Sequence, residues 1–144
     1  MNKVLFLALS AALVFAAGSA TADECADTHV KITESVKKFS VLMSGATGME
    51  TRSFDDIGCA ITNRNNECAT RQMLFDGHAA VVDYASGEEL PAEKAFFVLK
   101  TDVQTPRGFG IVAFKDKNQA EQFSAGHGKG KVVRWFELVD EKLK

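Results

Sequence analysis

Phe54-Asp55-Asp56-Ile57-Gly58-Cys59 is the stretch on which the fold turns. Met49 to Phe54 reads as a short strand. Asp55 or Asp56 can cap a helix, because a short carboxylate side chain accepts from the N–H groups that a first helical turn leaves unpaired. That helix is expected from Ile57 to about Asn63, with Cys59 beside the apolar Ile57 and Ile61. Asn63-Arg64-Asn65-Asn66 then reads as a turn. Strand passes to helix across two aspartates, with a cysteine in the first turn.

Working outward, Ser44-Gly45-Ala46-Thr47-Gly48 is a loop by composition. Thr33 to Met43 carries apolar residues at Val36, Phe39, Val41, Leu42 and Met43, a spacing that fits neither a helix nor a strand. Asp23 to Val30 is polar and reads as loose chain. Downstream, Ala79–Tyr84, Ala95–Lys100, Gly110–Phe114 and Lys131–Phe136 read as strands, separated by the turns Ser86-Gly87 and Pro106 to Gly110. Asp116 can cap a helix over Asn118–Ala125, with Gly126 as its stop. Glu137 to Lys144 is a short charged tail that can be helical. Short strands with a few helices between them indicate an α+β fold with a largely antiparallel sheet, not a doubly wound α/β fold.

The chain has 144 residues, one domain's length. Hydrophobic residues at 46% and charged residues at 25% exclude a chain that is disordered throughout. A formal net charge of −2 offers no cationic excess for phosphates, so nucleic acid is not an expected partner. Lys3, the apolar run Val4–Ala17 and the small-residue site Ala20-Thr21-Ala22 read as a secretory signal peptide over residues 1–22. The apolar run is shorter than the roughly 20 residues that cross a bilayer, and no later segment is apolar enough to do so. Cys25 follows Ala22-Asp23-Glu24, whereas a lipoprotein signal needs small residues directly before its cysteine. The expectation is one domain over residues 23–144, periplasmic and without a membrane span after processing.

Export permits disulfides. Cys25, Cys59 and Cys68 are an odd number, so one thiol is left over if two pair. Cys59 with Cys68 is the expected pair, by nearness. The chain lacks a G-x-x-x-x-G-K-[ST] loop, a G-x-S-x-G elbow and an H-E-x-x-H pair. Gly126-His127-Gly128-Lys129-Gly130 follows a helix and precedes a strand, the wrong context for a nucleotide loop. Soft donors are the better signal. Residues 23–144 hold three Cys, three His (His29, His78, His127) and three Met (Met43, Met49, Met73). Thiolate and thioether sulfur favour Cu(I), and imidazole accepts copper or zinc. Cys25 and His29 are closely spaced, and Met43 and Met49 flank the Gly-rich loop. A thiol enzyme is the competing class. The helix dipole would lower the pKa of Cys59, with His78 or His127 as base, but no spacing places either histidine beside it.

Phe54-Asp55-Asp56-Ile57-Gly58-Cys59 resembles the F-D-D-I-G-C segment of the NosL family, exported copper-binding accessory proteins of nitrous oxide reductase. The likeness continues through Val82-Asp83-Tyr84-Ala85-Ser86-Gly87-Glu88 and Ala92-Glu93-Lys94-Ala95-Phe96-Phe97-Val98. It resumes at Thr105-Pro106-Arg107-Gly108-Phe109-Gly110-Ile111-Val112-Ala113-Phe114, then at Ala120, Phe123, His127-Gly128 and Val132 to Leu138. The resemblance implies two small, related sheet-and-helix halves in one unit. It also implies Cu(I) binding and delivery to a copper enzyme client or a membrane assembly partner. The chain departs from the family's Cys-x-x-Cys-Gly-Met motif, because Cys25 is followed by Ala26-Asp27-Thr28-His29. Arg107 stands where the family tends to carry Met after the proline of the turn. Two readings follow. In one, a rearranged set drawn from Cys59, Met49, Met43, His78, Cys25 and His29 binds Cu(I) in a non-catalytic accessory protein. In the other, the metal site is lost and the domain is an exported binding or scaffold module, with a structural Cys59–Cys68 disulfide.

Overall fold

Asp56 is the residue that turns strand into helix. The structure, a computed structural model, describes residues 24–44, 51–71 and 78–143, with side chains described through 66 in the second stretch. The expected signal peptide and the Gly-rich loop centre lie outside these residues. Strand β2 (Thr51–Phe54) stops before Asp55, and helix α1 (Ile57–Arg71) begins after Asp56. Asp56 Oδ1 accepts from the N–H groups of Gly58 at 2.8 Å and Cys59 at 3.4 Å. These are the donors that a first turn cannot satisfy itself.

The helix runs past its expected stop at Asn63, and Asn63-Arg64-Asn65-Asn66 is helical rather than a turn. The Asn65 side-chain amide donates to the carbonyl of Val139 at 3.0 Å, docking α1 on α3 (Trp135–Asp140). That tertiary contact outweighs the weak turn preference of asparagine.

Strand β1 (Val41–Ser44) lies between β2 and β3 (Ala79–Val82), and β4 (Glu89–Pro91) pairs with β3, giving the order β2-β1-β3-β4. Strand β5 (Phe96–Val98) lies between β6 (Val112–Phe114) and β7 (Val132–Arg134), giving β6-β5-β7. Helix α2 (Lys117–Gly126) connects β6 to β7 as α1 connects β2 to β3. Each half thus runs strand, strand, helix, strand, with the first of these strands between the other two, and the first half adds β4 at its edge. Every pairing of these strands is antiparallel. The α+β reading holds, and the two halves share one plan.

Several elements differ from expectation for local reasons. Thr33 to Met43 divides into a 3-10 turn (Lys37–Phe39) and the start of β1, each too short to establish a period. Strand β4 carries Glu89 and Pro91 and gives no strand signal; it is an edge strand, where proline is tolerated. The last strand stops at Arg134, because the Glu137 carboxylate accepts its N–H at 2.8 Å and starts α3 two residues early. Asp116 caps α2 as expected, accepting from Gln119 N–H at 2.9 Å. The helix extends through Gly126, and the left-handed residues beyond it are Gly128, with φ of 92°, and Lys129, with φ of 53°.

The three-stranded sheet is buried on both faces. Phe97, Ala113 and Val133 join the core shared with α1, while Val98, Val112 and Phe114 pack with Ala120 of α2. This double burial explains the unbroken apolar run around Ala95–Leu99. Asp83, fully buried, ties the halves together. Its Oδ2 accepts from the N–H and hydroxyl of Ser86 (2.8 and 2.6 Å), and its Oδ1 from Lys115 N–H (2.8 Å). Burial pushes its pKa up, but the hydrogen bonds from Ser86 and Lys115 outweigh that and hold it below the usual carboxylate value. Among the described residues, no helix is long and apolar enough to cross a membrane.

Candidate metal centre

The stretch expected to be loose is instead folded back and docked on β2. The N–H of Cys25 donates to Val30 C=O at 2.9 Å, and that of His29 to Cys25 C=O at 2.8 Å, with His29 in the left-handed region at φ of 58°. Cys25 bridges Ser53 in parallel, and Ala26 N–H donates to Ser53 C=O at 2.7 Å. The docking carries the Cys25 thiol, wholly buried, to the end of β2, where Asp55 and α1 begin.

Cys59 reaches the same place from the first turn of α1. The two sulfurs and a carboxylate oxygen of Asp55 all lie within 4.8 Å of one another. The Cys25 thiol donates to Asp55 Oδ1 at 3.3 Å, and the Cys59 thiol faces Asp27 Oδ2 at 3.6 Å. Both thiols are free. Burial pushes the Cys59 pKa from 9.0 up to about 12, helped by the negative charge of Asp27, the Cys25 sulfur, the hydrogen bond to Asp27 and the charge of Asp55. The thiol is therefore held neutral, and the lowering expected from the helix dipole does not occur.

The turn from Thr105 to Gly110 closes over this cluster. Gly108 N–H donates to Thr105 C=O at 3.0 Å, leaving Pro106 and Arg107 as the central residues of a β-turn. Arg107 N–H donates to Asp56 Oδ2 at 2.9 Å, so Asp56 caps the helix with one oxygen and holds the turn with the other. The Arg107 guanidinium meets both oxygens of Asp55, Nε to Oδ1 at 3.2 Å and Nη2 to Oδ2 at 2.8 Å, and Nη2 also donates to the Thr28 hydroxyl. The Phe109 ring sits on Gly58 so closely that a Cβ there would lie 2.2 Å from its Cγ.

Of the expected ligands, the structure brings Cys25 and Cys59 together. Met43 is buried in the same apolar cluster as both cysteines. Met49 lies outside the described residues. His78 is exposed and lines a groove with Leu42, Ser44 and Pro91; Leu42 alternates with the inward Val41 and Met43, so this is the other face of the sheet. His29 is exposed and pairs with Glu24 at 3.1 Å. His127 pairs with Asp102 at 2.8 Å and stacks on Phe123 in the other half. Among the described residues, no histidine stands beside Cys59 as a base.

The expected Cys59–Cys68 disulfide is overturned. Both residues lie on α1, nine positions apart, which is about 13.5 Å along a helix axis and beyond the reach of a disulfide. Sequence reasoning also missed Asp55 as a member of the cluster, and Asp27 beside Cys59. One signal was present for Asp55: a helix needs one cap, and Phe54-Asp55-Asp56 supplies two aspartates. Arg107, singled out in the sequence by the resemblance, falls within the site itself.

A search of curated proteins finds no match to this chain. Among solved structures, the chain is similar to the crystal structure of the copper chaperone NosL from Shewanella denitrificans, with a TM-score of 0.60 and 20% sequence identity. The likeness covers 79% of this chain and 87% of that one, and at this identity it speaks for the fold. The sequence model of the NosL family matches residues 48–143, which contain β2, α1, the Arg107 turn and the whole second half, and the chain belongs to the NosL family.

Proposed function

We propose that this protein is an exported, non-catalytic accessory protein that binds Cu(I) between Cys25 and Cys59. In this reading it passes the ion to a copper enzyme or to a membrane partner that assembles one; the family resemblance points to nitrous oxide reductase. The observation that carries the proposal is the convergence of two free, buried thiols from separate parts of the chain. Thiolate sulfur is the soft donor that selects Cu(I). Two metal–sulfur bonds of about 2.3 Å, the length seen with zinc, span at most about 4.6 Å, so the sulfurs need little movement to hold one ion. Met43 stands in the same cluster as a candidate thioether, and Met49 is the other. His78, on the opposite sheet face, takes no part.

The raised pKa of Cys59 gives the proposal a pH signature. A metal must displace the thiol proton, and with a pKa of about 12 that proton competes throughout the neutral range. Cu(I) affinity should therefore rise with pH by about tenfold per unit for each proton displaced, and for Cys59 the rise should continue above pH 9, where an ordinary thiol would level off.

The test is Cu(I) competition against a chromophoric chelator with the reduced protein. One ion should bind. Cys25→Ser and Cys59→Ser should each weaken binding by more than about 100-fold, beyond the loss expected for outer residues of a metal site. Unchanged affinity in both variants, with the fold intact by circular dichroism, would sink the assignment.

A further inference from the structure

We infer that Arg107 sets the metal preference of this site, engaging the buried Asp55 carboxylate so that it is a poor donor beside the two sulfurs. The inference rests on the Cu(I) reading above and deepens it. Two thiols with the carboxylates of Asp55 and Asp27 beside them make a sulfur and oxygen donor set. Such a set suits a tetrahedral divalent ion such as Zn(II) as well as it suits Cu(I). Asp27 is exposed, so the buried Asp55 is the carboxylate fixed beside both sulfurs, and its availability decides between the two ions.

Arg107 takes both Asp55 oxygens in a bidentate pair, the geometry in which guanidinium holds a carboxylate most firmly. The pair is mostly shielded from water, with the Asp55 side chain 7% exposed and that of Arg107 29% exposed. Asp55 Oδ1 also accepts from the Cys25 thiol, so the carboxylate faces the sulfurs. The guanidinium nevertheless draws on both of its oxygens, weakens it as a donor and sets a positive charge beside any incoming ion. The turn that carries Arg107 is pinned over the site, its N–H on Asp56 and Phe109 against Gly58.

Charge acts in the same direction. One Cu(I) with two thiolates is a net anion, which the guanidinium attracts. One Zn(II) with two thiolates is neutral and gains nothing from a neighbouring cation until a carboxylate joins it. Arg107 is thus a positioning residue that acts through Asp55.

The experiment uses the full chain, reduced, and measures Cu(I) and Zn(II) affinities separately, each by competition with a chromophoric chelator. In Arg107→Gln the Zn(II) affinity should rise about tenfold or more while that for Cu(I) falls or stays level, so the ratio moves toward zinc. The double variant Arg107→Gln with Asp55→Asn should return Zn(II) affinity to the starting value, since the freed carboxylate is gone. Arg107→Lys, which keeps the charge but loses the fork, should fall between, and serves if Arg107→Gln does not fold by thermal melting. A zinc-to-copper ratio unchanged in the folded Arg107 variants, or a zinc gain that survives Asp55→Asn, would overturn the inference. Failure of the starting protein to bind Cu(I) would instead overturn the copper reading, and the Zn(II) series would still report on Arg107.

Discussion

Phe54-Asp55-Asp56-Ile57-Gly58-Cys59 and Phe114-Lys115-Asp116-Lys117-Asn118-Gln119 hold the same place in the two halves. In each, a buried phenylalanine ends the second strand, an aspartate caps the helix, and an alanine four residues later is fully buried (Ala60 and Ala120). The shared residues are those that a strand-to-helix passage requires. The others diverge. Asp55 faces two thiols and Arg107, whereas Lys115 reaches out to Glu88 at the surface. Cys59 stands where the second half has Gln119, and Gly58 where it has Asn118. The start of α1 is roofed by the Thr105–Gly110 turn, while Lys117, Asn118 and Gln119 are exposed. A common backbone device became a candidate metal centre in one half by being covered and by carrying donors that capping does not use.

The largest expected effect separates the two caps. Asp56→Ala should destabilise the protein by about 3 kcal/mol or more, because it leaves the N–H groups of Gly58, Cys59 and Arg107 without their buried acceptor. Asp116→Ala removes one exposed cap bond and should cost about 1 kcal/mol. Urea unfolding of the two variants measures both. Equal losses would mean that the roof over α1 contributes nothing and that the two helix starts are energetically alike.

What could be read from sequence follows the same division between local and non-local causes. Asp116 was legible as a cap, and the first cap was legible to within Asp55 or Asp56, because a capping aspartate acts on N–H groups two or three residues away. The three-stranded sheet was legible because burial on both faces leaves continuous apolar runs. Asn63 to Asn66 misled, since their place in α1 depends on Val139 across the fold. That error propagated: a helix ending at Asn63 leaves Cys68 free to turn back toward Cys59, and a helix reaching Arg71 does not. Cys25 and Cys59 were each picked out as soft donors. Their partnership was not legible, because it requires residues 24–31 to fold back and pair with Ser53, which no periodicity announces. Arg107 was visible only as a departure from the family pattern; its grip on Asp55 is a fact of three dimensions.

The smaller effect is sharper, because it should appear in one half and be absent from the other. Glycine to alanine inside a helix ordinarily stabilises by up to about 1 kcal/mol. At Gly58 the new Cβ would lie 2.2 Å from Cγ and 2.4 Å from Cβ of Phe109, near the root of that side chain, where no rotation relieves the overlap. The turn itself must lift, and overpacking of this kind costs about 1–3 kcal/mol, so Gly58→Ala should be destabilising on balance. Asn118→Ala, at the matching position in solvent, should leave stability within about 0.5 kcal/mol of the starting value. Thermal melts of the two variants make the comparison. The Gly58 variant should also shift metal preference toward Zn(II), since the turn that lifts is the one that carries Arg107 onto Asp55. A Gly58→Ala protein as stable as the parent and unchanged in metal preference would mean that Phe109 moves independently of Arg107, and that the roof is not one rigid piece.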